Sequence, residues 1–164
     1  MTDMACFAGG CFWCITPALR SVEGVTGVTC GYSGGQEQNP AYEDVKHQRT
    51  GHRECISVRF DPARVTYEAL LAQFLASVDP FDDGGQFIDR GHSYTLAVYW
   101  ADERQRDAAH AAIRRLEEAS GRRACISVEP LHAFWTAEEE HQDYDLKHPE
   151  AFRQELIDSG RICE

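Results

Sequence analysis

The chain has no apolar run approaching the roughly 20 residues that a membrane-spanning helix requires, which excludes a helical transmembrane protein. It has no internal repeat, no low-complexity tract and no linker rich in Pro or Ser, so repeat arrays and tethered domains are set aside. Basic residues are scarce. Sixteen Lys and Arg stand against 27 Asp and Glu, and the resulting formal charge of −11 opposes binding to nucleic acid or to an anionic membrane. The N-terminal stretch from Met1 to Met4 offers neither a positively charged region nor a long apolar segment, so no secretory signal is read there and a cytoplasmic setting is expected. Seven cysteines is an odd number, and in a reducing compartment most are expected as free thiols rather than as a disulfide framework.

What is present fits one soluble globular domain, residues 1–164, with 43% hydrophobic and 26% charged residues and enough length to bury a core without staples. Apolar periodicity switches between two and 3.6, the mark of mixed α and β structure. Met4 to Ala8 reads as a buried strand, Cys11 to Val22 as a packed helix and Val25 to Tyr32 as a second strand. Pro17 leaves the helix start open by a turn, because Thr16-Pro17 would also suit a cap and first helical position. Glu54 to Phe60 alternates strictly, with Ile56, Val58 and Phe60 on one side, and parity puts Glu54 on that apolar face. Thr66 is suited to cap a helix carrying Leu70, Leu71, Phe74, Leu75 and Val78. Tyr94, Leu96, Val98 and Trp100 are expected along one face of the next strand, followed by a helix from Asp102 to Ser120 with Ile113 and Leu116 inward and Gly121 as its stop. Cys125 to Val128 reads as a strand and Ala137 to Tyr144 as an acidic helix. Interspersed elements without long parallel βαβ units predict a two-layer α+β sandwich.

The chemistry centres on "GGCFWC", Gly9 to Cys14. Two cysteines three apart could be a redox site, half of a metal site or part of the core. A strand-to-helix turn would place Cys11 against the N–H groups and dipole of a helix start, which favour the thiolate and lower its pKa. A thioredoxin-like dithiol oxidoreductase would use the same placement, and a zinc module would need two further ligands. No second Cys-x-x-Cys and no Cys/His pair at ligand spacing follows. Cys6, Cys30, Cys55 and Cys125 fall in strands and are read as packing. Phe12 and Trp13 are core aromatics or the walls of a small apolar pocket. A carboxyl projecting from a core face, as Glu54 does, is either paired or held protonated.

Taken in order, "GGCFWC", "GYSGG" (Gly31 to Gly35), "NPAYEDV" (Asn39 to Val45), "TGHRECISVRFDP" (Thr50 to Pro62), "DP" (Asp79-Pro80), "DRGHSY" (Asp89 to Tyr94) and "AEEEHQDY" (Ala137 to Tyr144) resemble the methionine sulfoxide reductase A family over about residues 5 to 148. The resemblance implies a ferredoxin-like α+β sandwich that reduces methionine-S-sulfoxide, free or in proteins, with thioredoxin as reductant and no metal or organic cofactor. By that resemblance Cys11 is the nucleophile, Phe12 and Trp13 hold the substrate methyl group, Glu54 is the acid, and Tyr42, Asp89 and Tyr94 surround the sulfoxide oxygen. The chemistry agrees, since thiolate attack on sulfur needs the departing oxygen protonated, leaving methionine and a sulfenic acid that a second thiol condenses into a disulfide.

The chain also departs from the family pattern. Where the family often reads "RQGxD…QYRS", this chain has Gly85-Gln86-Phe87-Ile88-Asp89 and Ser93-Tyr94-Thr95, which leaves the pocket rim without its arginines. His52 is read as structural, and His141 and Tyr144 receive no catalytic role. For the second thiol, Cys14 needs no tail movement to reach Cys11. Cys163 is the rival, as a resolver, a relay thiol or an idle one, because many family members bring a C-terminal cysteine to the site. Within the tail, residues 149–164, Phe152, Leu156 and Ile157 predict a packed helix that would restrain it, so Cys14 is favoured.

Overall fold

The computed structural model of the chain describes residues 2–162. In chain order the elements are β1 (Asp3–Gly9), α1 (Phe12–Arg20), β2 (Val25–Ser33), α2 (Tyr42–Lys46), β3 (Arg53–Phe60), α3 (Tyr67–Ala76) and the two short strands β4 (Gly85–Gln86) and β5 (Asp89–Arg90). There follow β6 (Leu96–Trp100), α4 (Glu103–Ser120), β7 (Ile126–Pro130), β8 (Trp135–Thr136), α5 (Tyr144–Lys147) and α6 (Pro149–Asp158). Six strands form one mixed sheet in the order β7-β6-β1-β3-β2-β8, in which β6 and β7 are parallel and the other pairs antiparallel. The fold is a single α+β domain.

Strand parity sorts the core. Phe7 of β1 lies opposite Ile56 of β3, and this face carries Ala5, Val58, Phe60 and the inward sides of α1 and α3. Phe7 stacks on Phe74 at 4.7 Å between ring centroids, which fixes α3 against the sheet. The reverse face holds Cys6, Ala8, Cys55, Ala97 and Tyr99 under Leu131 and Phe134. Helix ends follow their chemistry: the Thr66 hydroxyl accepts from the Ala69 N–H at 3.1 Å, the Asp102 carboxylate accepts from the Gln105 N–H at 2.8 Å, and Gly121 closes α4 at φ 68°.

One open point is settled and three expectations are corrected. α1 begins at Phe12 and takes Pro17 into its interior, where the Thr16 hydroxyl donates back to the Phe12 carbonyl at 2.6 Å. Tyr94 belongs to a 3₁₀ turn, His92–Tyr94, that follows Gly91 at φ 118°, and the strand starts only at Leu96. The buried line of α4 runs through Gln105 and Ala109, leaving Ile113 and Leu116 half-buried. Ala137 to Tyr144 is not a helix. It is a short 3₁₀ turn, Glu139–His141, because Gln142 turns its amide onto the edge of β2, accepting from the Cys30 N–H at 2.8 Å and donating to the Cys30 carbonyl at 2.9 Å. Asp143, at φ 52°, then breaks the path before α5.

Candidate active site

The site forms where β1 hands over to α1. Gly10 turns the chain at φ +85°, and a Cβ there would stand 2.8 Å from Cβ of Gln86, so only glycine fits between the turn and the buried Gln86. Cys11 is the N-cap of α1 but offers no side-chain cap. The helix instead takes its cap from β3, because the Phe12 N–H donates to Glu54 Oε1 at 3.2 Å. Parity explains the reach, since Glu54 lies opposite Tyr32 of β2 and projects from the same face as Ile56, beneath the start of α1.

Glu54 is 1% exposed, and among the described residues its Oε2 has no hydrogen-bond partner. Burial, with the charge of Asp89 adding to it, raises its pKa to about 8, against the opposing pull of the Phe12 N–H, the Tyr94 hydroxyl and Lys46. The Tyr94 hydroxyl stands near enough to the carboxyl to favour its ionised form, against the effect of burial. Because Oε1 already accepts an N–H, the carboxyl proton belongs on Oε2.

Cys11 is 7% exposed, and its thiol meets that of Cys14, whose N–H bonds the Cys11 carbonyl at 3.0 Å. The hydrogen bond with Cys14, burial, and the negative charge of Asp89, joined by that of Glu54 once it ionises, push the Cys11 thiol well above its ordinary range. This reverses the expectation of a thiol lowered by the helix start: carboxylates and a second thiol crowd the same turn. Cys14 also lines a cavity of about 340 Å³ between α1 and α6.

Aromatic rings enclose the other side. Phe12 is fully buried, with Tyr42 stacked on it at 6.1 Å and Trp13 tilted against it at 6.2 Å. Trp13 stacks with Tyr144 at 3.9 Å and with His141 at 5.5 Å, and its Nε1 is buried without a partner among the described residues. Tyr42 is fixed by Glu138, which accepts its N–H at 3.0 Å and the Tyr32 hydroxyl at 2.8 Å. Burial pushes the Tyr42 and Tyr94 phenols up, so both remain hydroxyl donors. Burial lowers His141 despite three nearby carboxylates, and it stacks on Tyr42 at 4.0 Å as a neutral ring.

The structure thus gathers Cys11, Cys14, Phe12, Trp13, Tyr42, Glu54, Asp89 and Tyr94 around one turn. Cys163 lies outside the described residues. Sequence reasoning missed Tyr32, Glu138 and the ring positions of His141 and Tyr144. The last two were visible in "AEEEHQDY", but nothing local told a structural role from a place in the aromatic wall. His52 is structural as read, its Nδ1 accepting the Gly35 N–H at 3.2 Å. The six described cysteines are free, and burial takes Cys30 to about 12, in keeping with packing. Among the described residues no three His, Cys, Asp or Glu side chains gather to hold a metal ion, and no helix is long and apolar enough to cross a membrane.

A buried cysteine with a half-buried second thiol, beside a carboxyl that burial keeps neutral, on a mixed α+β sheet, defines a thiol-centred domain. Residues 3–161 match the family model described as peptide methionine sulfoxide reductase. A peptide methionine sulfoxide reductase MsrA of Bacillus licheniformis is 44% identical over 161 residues, 97% of this chain and 89% of the relative. Methionine sulfoxide reductase A of Corynebacterium diphtheriae superposes with a TM-score of 0.81 at 29% identity, over 90% of this chain and 76% of that one. The reduced form of Mxr1 from Saccharomyces cerevisiae shares the fold, with a TM-score of 0.84 at 23% identity over 91% of this chain and 87% of that chain. The chain belongs to the peptide methionine sulfoxide reductase family, whose members are oxidoreductases.

Proposed function

We propose that the chain reduces methionine-S-sulfoxide, free or in oxidised proteins, to methionine, with Cys11 as nucleophile and Glu54 as acid. The observation that supports this most is the Glu54 carboxyl: neutral below about pH 8, one oxygen spent on the Phe12 N–H and the other free to offer its proton beside Cys11. As the sulfoxide enters, Cys11 sulfur attacks the substrate sulfur while Glu54 protonates the oxygen, and Tyr42 and Tyr94 hold that oxygen through their hydroxyls. The Cys11 thiol proton replaces the one Glu54 gives to the oxygen, so thiol and sulfoxide together balance sulfenic acid and methionine, which suits a thiol that is not ionised at rest. The oxygen ends on Cys11 as a sulfenic acid, and the product is methionine. The Cys14 thiol then attacks the sulfenic sulfur, water leaves, and a Cys11–Cys14 disulfide forms for reduction by thioredoxin, or by dithiothreitol in vitro.

Phe12 and Trp13 receive the substrate methyl group in this reading, and Asp89 belongs to the polar set around the oxygen. The chain serves as one domain, residues 1–164, with 149–164 as its C-terminal tail and Cys163 as the alternative resolving thiol. The path β1-α1-β2-β3-α3-β6, with strand order β6-β1-β3-β2, supports the ferredoxin-like description of the core. Free thiols and the formal charge of −11 suit a cytoplasmic repair enzyme with no nucleic-acid or membrane partner. Dimedone trapping tests the reading directly. With Cys14→Ser, one equivalent of methionine-S-sulfoxide should leave a dimedone adduct on Cys11. Methionine formed without any adduct, or an adduct on another cysteine, would overturn it.

A further inference from the structure

Arg161 stands outside every motif in the sequence, yet its side chain is packed against the site. α6 ends in a Schellman motif: Gly160 takes φ +81°, its N–H donates to the Ile157 carbonyl at 3.0 Å, and the Arg161 N–H donates to the Leu156 carbonyl at 2.9 Å. That reversal turns Arg161 back toward β5 and the turn before Cys11. Its Nη2 pairs with Asp89 Oδ2 at 3.2 Å, and its Cζ stands 4.6 Å from the centroid of the Phe87 ring. The same Nη2 comes within 3.8 Å of the point where a Cβ on Gly10 would sit, one residue before Cys11.

Two comparisons within the molecule set this pair apart. The Arg161 and Asp89 side chains are 11% and 26% exposed, whereas the surface pair Arg64–Glu23 is 54% and 88% exposed. Arg90, although next to Asp89 in the chain, points away and forms its ion pair with Asp82 at 2.7 Å. Among the described residues Arg161 is therefore the cation paired with Asp89, and it enters a rim, Gly85 to Asp89, that has no arginine of its own. The charge of Asp89 in turn acts on Cys11 before α1, on Glu54 of β3, on Tyr94 and on Glu155 of α6, while Lys46 of α2 acts on Glu54, and both Arg161 and Lys46 act on Glu155.

We propose that Arg161 is a positioning residue for the sulfoxide reduction: paired with Asp89, it holds that carboxylate in place beside Cys11 and Glu54, so the C-terminal segment is a structural part of the active site. This rests on the reaction proposed above. Without the guanidinium, Asp89 swings free, and its negative charge is left unbalanced next to a thiol that must lose its proton.

The test uses the full chain as wild type, Arg161→Met, Arg161→Lys, Asp89→Asn and the Asp89→Asn/Arg161→Met double variant. In single-turnover reduction of methionine-S-sulfoxide, Arg161→Met should lose about tenfold in rate, Arg161→Lys should recover most of it, and Arg161→Met should cost less than about twofold once Asp89 is Asn. The pH at which Cys11 reacts with iodoacetamide, read on its peptide by mass spectrometry, should move upward in Arg161→Met. Arg161→Gln serves for the same comparison if the Met variant does not fold at the assay temperature. A wild-type rate and alkylation profile in a folded variant, or penalties of Arg161→Met and Asp89→Asn that add independently, would overturn the proposal. If wild type itself leaves the sulfoxide untouched, the reaction reading fails, while the alkylation profile still decides the role of Arg161.

Discussion

Replacing Glu54 with Gln should inactivate the protein and at the same time stabilise it at alkaline pH. The amide keeps an oxygen for the Phe12 N–H and nearly the same shape, but it has no proton to transfer and no charge to bury. The carboxyl titrates at about 8 in the fold against an ordinary 4.5. Between those values the folded state holds a proton that the unfolded chain has released, so the unfolded state binds fewer protons and stability falls as pH rises through that window. At 1.36 kcal/mol for each tenfold in proton affinity, the full loss above pH 8 is about 5 kcal/mol, a large share of the net stability of a domain of this size. Glu54→Gln removes the loss. Denaturant unfolding at pH 5 should find wild type and variant within about 1 kcal/mol, and at pH 9 the variant should be more stable by up to about 5 kcal/mol. Turnover at pH 7 should fall by about 10² to 10⁴, and wild-type turnover should decline as pH rises through about 8. A variant no more stable than wild type at pH 9 would show that Glu54 is not held neutral by burial, and the assignment of the proton to Oε2 would fall with it.

Other outcomes follow from the same geometry. Cys11→Ser should abolish sulfoxide reduction while leaving the fold intact, since a hydroxyl is a far weaker nucleophile; retained turnover would remove Cys11 from the mechanism. After one turnover without reductant, peptide mapping should find a Cys11–Cys14 disulfide, and a Cys11–Cys163 bridge would transfer the resolving role to the tail. Gly10→Ala, forced to φ +85° against Gln86, should cost about 2 kcal/mol or more and lower activity by shifting Cys11; calorimetry and a rate assay together check this. Thr66→Ala, which loses only the cap of α3, should cost about 1 kcal/mol and leave activity unchanged.

Much of this was legible in the residues because local rules and tertiary packing agreed. Alternation along β3 placed Glu54 inward, a Gly pair after an apolar run placed Cys11 at a strand-to-helix turn, and Thr66 and Gly121 marked helix ends by their own chemistry. Three of the failures share one cause, which is capture of a segment or a group by distant residues. Gln142 and Glu138 spend their side chains on Cys30, Tyr32 and Tyr42, so an acidic, helix-favouring stretch never becomes a helix. Gln48 brackets Ser93, accepting its N–H at 3.0 Å, and the turn this holds moves Tyr94 off the strand without moving it out of the site. The Cys11 thiol was misjudged for the same reason, since the helix start was visible in sequence while Asp89 and Cys14 crowding it were not. Arg161 offered no local signal, because its partner lies 72 residues away.

The most direct measurement is turnover of the two separated methionine sulfoxide epimers with dithiothreitol as reductant, by wild type and by Cys11→Ser. The account predicts that wild type consumes the S-epimer, leaves the R-epimer untouched, and loses all of this activity in the variant. Equal consumption of both epimers, or S-epimer turnover that survives without the Cys11 thiol, would contradict it.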